Sequence, residues 1–146
     1  MIDLVINNFD KIIGGILVAV FGGYITYRIY LKTRINQAAA TFRSRVLAEL
    51  KGLYPVTQYW DTQTFPRFSQ SITEIESAAA EFRFYVTRKS ALDAAVKEYS
   101  NHCKKTSWNE CAAWDMYPTM RKEGEISPRE KFDHLVKDLL SFAEEK

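Results

Sequence analysis

The chain has 146 residues, 47% of them hydrophobic, and its 20 Lys and Arg against 18 Asp and Glu leave a net charge of +2. That length holds one small domain with its own core rather than several. So even a charge excludes the overall basic character of a nucleic-acid-binding protein.

From Ile12 to Leu31 the sequence runs IIGGILVAVFGGYITYRIYL, and roughly twenty mainly apolar residues are what a bilayer crossing takes. Its one charge, Arg28, stands near the C-terminal end, where a guanidinium can snorkel to the headgroups. A cleaved signal peptide would open on positive charge and finish at a small-residue cleavage site. Here Asp3 and Asp10 come first and the cations follow the apolar run. A core helix of a soluble domain would carry an apolar stripe, whereas Ile12 to Tyr27 is apolar on every side. The stretch therefore predicts an uncleaved transmembrane helix. Arg28 stands at its C-terminal end, Lys32 and Arg34 lie just after it and only Lys11 just before, so the positive-inside rule puts the C-terminal side in the cytoplasm. Residues 1–33 are then an outer tail and the span, and residues 34–146 a cytoplasmic domain.

Within the span, Gly15, Ala19, Gly22 and Thr26 recur at steps of four, three and four, and Gly23 continues a second small-residue row. Leu17, Val20, Phe21 and Tyr24 make the other sides bulky. In lipid, narrow faces of this kind let helices approach closely, which predicts self-association. Asn8 extends the stripe outward, as a pore lining would. From Arg28 to Lys51 six Lys or Arg meet only one acid, Glu49. This membrane-surface stretch, with Arg28, Lys32 and Arg34 at its head, suits anionic lipid better than nucleic acid, because it begins at the bilayer.

No proline or glycine falls between Tyr24 and Lys51. The helix is thus expected to leave the membrane as one rod, with Ile35, Ala39, Phe42, Val46 and Leu53 along one side, until Gly52 and Pro55 end it. Tyr54 to Phe68 holds two prolines and five aromatic residues without a period. It reads as an ordered connection packed by its own aromatics, since a ligand cage would need convergent charge. A second helix is expected from a capping box of Ser71 with Glu74, facing inward through Ile72, Ile75, Ala79, Phe82 and Val86. After a break near Thr87 to Lys89, Ser90 and Asp93 form a second capping pair, and Leu92, Val96, Tyr99 and Cys103 share a face. Lys104 to Glu125 reads as irregular, an aromatic lid whose Trp108, Trp114 and Tyr117 are of the types favoured where two proteins meet. The last helix has Ser127 as N-cap, Pro128 at its first position and Glu130 closing the box, with Phe132, Leu135, Val136, Leu139 and Ala143 inward. With no alternating strand pattern or hairpin signal, the expected fold is all-α: a transmembrane helix continuing into a four-helix bundle.

Signatures of catalysis are few. The chain has no phosphate loop, no Rossmann glycine pattern, no Gly-x-Ser-x-Gly and no HExxH. His102, Cys103, Cys111 and His134 match no standard zinc spacing, and Cys103 falls on a core face, so buried free thiols are expected and no metal or cofactor. A Cys103–Cys111 disulfide would not suit the cytoplasm.

Arg129 and His134, within REKFDH, form an Arg-x4-His pair on the last helix, which resembles the motif of HEPN-type ribonucleases. That resemblance implies catalytic roles for the two residues, one steadying phosphate charge and the other aiding attack by the ribose 2′-hydroxyl, across two subunits. Five residues of helix set them about 140° apart. More broadly, a glycine-rich anchor is followed by FRSRVLAELKGLYP, AAAEFRFYVTRKSALDAAVKEYSNHC and SPREKFDHLVKDLLSFAEE. In that order they resemble small single-span bacterial proteins similar to the membrane accessory protein of type VI-B CRISPR systems. The resemblance implies a HEPN-like cytoplasmic bundle, a ring-shaped homo-oligomer in the bacterial inner membrane, and a part in limiting phage infection by disturbing that membrane. A CRISPR nuclease complex or another cytoplasmic protein would be its partner. Three readings follow: a non-enzymatic pore-forming effector, a non-catalytic scaffold docking a partner through the tryptophan segment, and a membrane-tethered ribonuclease acting on RNA.

Overall fold

A computed structural model of the protein describes residues 2–56, 60–61, 65–116 and 124–144, with side chains from Ile13 onward. Among these residues there are five helices and no strand: α1 (Ile2–Glu49), α2 (Pro66–Phe82), α3 (Lys89–Lys105), α4 (Trp108–Met116) and α5 (Pro128–Ser141). The chain forms two compact units, Met1–Gln37 and Ala38–Lys146, and the division falls inside α1.

The first unit is helix alone. No proline interrupts it, and an unbroken helix satisfies its backbone groups without water, as a membrane requires. From Ile13 to Gln37 every side chain is exposed, Val18 to 74%. Among the described residues one helix is thus long and apolar enough to span a membrane.

In the second unit, four helical segments each turn one stripe inward. The closing part of α1 contributes Phe42 and Val46, with Leu50 and Leu53 just beyond its end. α2 contributes Phe68, Ile72, Ile75, Ala79 and Phe82, α3 Leu92, Tyr99 and Cys103, and α5 Phe132, Leu135, Val136, Leu139 and Leu140. Steps of three and four keep such residues on one side of a helix. Burying one large apolar side chain of this kind stabilises the fold by roughly 2 kcal/mol.

Contacts fix the helix directions within this unit. Phe42 stacks on Phe82 at 4.6 Å, and Arg43 pairs with Glu144 while Arg88 lies over the Phe142 ring. These join the start of α1's packed part, the end of α2, the start of α3 and the end of α5. At the opposite end Phe132 is ringed by Phe68, Trp60 and Tyr99 at 4.9, 5.2 and 5.9 Å. There the start of α2, the end of α3 and the start of α5 meet. The four segments therefore run alternately up and down, the arrangement that short connections favour.

Several boundaries differ from the sequence expectation. α1 ends at Glu49, ahead of Gly52, because the chain turns there through Leu53 and Tyr54 N–H groups donating to the Leu50 carbonyl at 2.8 and 2.9 Å. Gly52 sits at φ +88°, a conformation glycine adopts without strain. α2 starts at Pro66, five residues before the expected Ser71. Ser71 is instead buried inside that helix, donating to the Phe68 carbonyl and bonded to the Tyr99 hydroxyl. Ser90 and Asp93 do not cap α3, whose N-cap is Arg88 without a side-chain cap. Asp93 is drawn to Arg83 by two hydrogen bonds at 2.9 and 3.0 Å. The span expected to be irregular contains α4, begun by a reciprocal box in which Ser107 N–H donates to Glu110 and Glu110 N–H donates to Ser107 Oγ. α5 begins as expected, with Ser127 Oγ accepting from Glu130 N–H at 3.0 Å and Pro128 at the first position. In the connection before α2, Trp60 packs onto the core rather than only onto neighbouring aromatics.

Candidate functional site

Two places draw together the residues singled out by the sequence, one in each unit. In the first unit, Gly15, Ala19, Gly22, Gly23 and Thr26 are all exposed. A Cβ added at Gly14, Gly15, Gly22 or Gly23 would meet nothing within 4 Å. Among the described residues nothing packs against these glycines, although each weakens a helix by about 1 kcal/mol relative to alanine in water. Thr26 Oγ donates to the Gly22 carbonyl at 2.8 Å, so its hydroxyl is satisfied within the helix. Asn8 lies in α1 where the side chains are outside the described residues. Next to the apolar run, Arg28 lies over Tyr24 at 6.0 Å and Arg34 over Tyr30 at 5.8 Å, with Lys32 exposed between them. Such cation–π pairs make a collar of tyrosine and arginine at the C-terminal end of the apolar run.

In the second unit, the end of α3, one side of α4 and the segment leading into α5 with its first turn line an open groove of about 510 Å³. Trp114, Ala113 and Ile126 give it an apolar wall, and Lys105, Lys131, Glu110 and Glu125 ring it with charge. Arg129 of α5 pairs with Asp115 of α4, the two side chains only 15% and 24% exposed, and this pair fastens α4 to the bundle. His102 fastens the same corner from α3. Its Nε2 is 2.9 Å from the Pro128 carbonyl, which can only accept, so the proton sits on Nε2, and Nδ1 faces the Thr106 hydroxyl at 3.3 Å. Burial, helped by Lys131, pulls the His102 imidazole below its ordinary value against the opposing Pro128 bond, which keeps the ring neutral. The groove can seat an apolar or aromatic group against Trp114 with ionic groups at its rim.

The remaining sequence candidates are dispersed. Trp108 stands 40% exposed on α4, Trp114 lines the groove, and Tyr117 lies outside the described residues. His134 is exposed on α5, while Arg129 on the same helix is engaged with Asp115, so the two are not brought together within one chain. Cys103 and Cys111 are free and buried, and burial pushes their thiols up to about 12 and about 11. Among the described residues no three His, Cys, Asp or Glu are grouped to hold a metal ion. Sequence reasoning missed the groove because it missed α4; the Ser107-x-x-Glu110 box was the signal that could have revealed both. No protein-family model matches the chain, and no curated protein or solved structure is significantly similar to it.

Proposed function

We propose that this is a single-pass membrane protein that assembles with copies of itself through the small-residue side of its anchor, the second unit lying in the cytoplasm. The assembled anchors act on the bilayer by opening a leak. The observation that carries this reading is the set of exposed glycines with open space where a side chain would stand. Within one chain those glycines serve no packing purpose, whereas between helices in lipid they permit close approach. The cations after the span supply the orientation, and the resemblance to single-span CRISPR accessory proteins supplies the role, defence against phage by depolarising the inner membrane. Purified protein placed in dye-loaded vesicles tests the reading. Release that rises steeply with the number of chains per vesicle is expected; intact vesicles at every loading would overturn it.

A second reading, a scaffold for a cytoplasmic partner, is favoured by the Trp114 groove. It requires that Trp114→Ala abolish capture of a partner while leaving assembly unchanged.

A further inference from the structure

We propose that the turn between α2 and α3 is a second membrane contact, with Phe84 at its tip resting on the anionic bilayer that holds the anchor; this rests on the membrane reading above. Phe84 is 78% exposed, the highest value among the exposed large hydrophobic side chains of the described residues. The exposure is imposed by the fold. Phe82 and Val86 on either side are buried, Arg83 N–H donates to the Ala79 carbonyl at 2.8 Å, and Tyr85 N–H to the Phe82 carbonyl at 2.9 Å. The two hydrogen bonds from Arg83 to Asp93 tie the turn to α3. A rigid turn therefore holds an aromatic ring out into water, which is costly unless something apolar receives it.

Lipid is the receiver that position and charge favour. Phe82 stacks on Phe42, so the turn lies at the end of the second unit where α1 joins it. Ala38, at the start of the part of α1 that packs on that unit's core, follows the last cation of the collar, Arg34, by four residues. Four residues of helix are about 6 Å along its axis, so the point where the chain enters this unit is close to the collar. The acids of the turn are already matched, Glu81 by Arg45 and Asp93 by Arg83, which leaves Lys89, exposed at the start of α3, to favour anionic headgroups. An aromatic side chain with a neighbouring cation suits the headgroup layer.

The test places an environment-sensitive label at Phe84→Cys in the full chain, the native thiols being buried. Labelled protein is inserted, one chain per disc, into lipid nanodiscs with and without anionic lipid, and Asn109→Cys, on α4 at the opposite end, serves as reference. With anionic lipid, emission at position 84 is expected to shift to the blue and be quenched by lipid-borne quencher, while position 109 stays in water. Lys89→Glu should weaken that shift. A label at 84 that remains in water would overturn the proposal with the anchor intact. A shift that occurs only with several chains per disc would also overturn it, since the receiver would then be a second copy. Failure of the unlabelled chain to enter discs at all would instead remove the membrane reading itself.

Discussion

Ser71 and Tyr99, both buried, meet through their hydroxyls at 2.6 Å. Ser71 spends its one proton on the Phe68 carbonyl, so Tyr99 must be the donor between them. Burial also raises the Tyr99 pKa, which keeps the phenol protonated for that purpose. The asymmetry makes a prediction. Ser71→Ala strands a buried hydroxyl and should cost about 2 kcal/mol, whereas Tyr99→Phe leaves Ser71 bonded and should cost about 1 kcal/mol. Denaturant unfolding of the two variants in detergent checks the order. His102 gives a second prediction, in pH. Its folded-state pKa lies below the ordinary 6.5, so the unfolded chain binds more protons as pH falls past that value. The His102 contribution to stability is therefore fully present above pH 6.5 and is lost as pH drops through the folded-state pKa. Unfolding midpoints measured on both sides of pH 6.5 should fall with acid more steeply in the native protein than in His102→Gln.

At the scale of the helices, a side-chain cap opens α4 and α5 but not α2 or α3. Ser107→Ala removes the box that starts α4 and should cost about 1 kcal/mol. Because α4 is held elsewhere mainly by Cys111 and the Arg129–Asp115 pair, the loss should appear first as faster amide exchange in Trp108–Met116. The inward stripes of α2, α3 and α5 were legible from residues such as Ile72, Ile75, Tyr99, Phe132 and Val136, since apolar steps of three and four line up on one side only when the chain is helical. The start of α2 was not, because Ser71 and Glu74 spell a capping box in the middle of a helix that Pro66 opens. Asp93 likewise looked like a cap partner until a long-range ion pair with Arg83 claimed it. WNECAAWDM hides α4 because its apolar residues fall on several sides, with Trp114 toward the groove, Cys111 buried and Met116 69% exposed. The groove was hidden along with α4, whose Ala113 and Trp114 form part of its wall.

Over the whole molecule, the two units carry different surfaces. Among the described residues every side chain of the first unit from Ile13 to Gln37 is exposed, the surface that the proposed membrane anchor would present to lipid and to neighbouring chains. Gly15→Leu together with Gly22→Leu offers a clean probe, since a Cβ at either position has open space around it among the described residues. The double variant should fold normally yet lower the assembly size of the detergent-solubilised protein, as read by mass determination. An unchanged mass would place the contact between copies elsewhere.

On the membrane reading proposed above, α1 is at once tether and wall, which leaves the second unit few places at which it could be shed. A protease cutting in the three residues between Arg34 and Ala38 would then free the second unit with Phe42, Val46 and Leu50 still in place. A cut a few residues later would carry off one side of the core and leave the remainder without a fold. Release and destruction are thus separated by a single turn of helix.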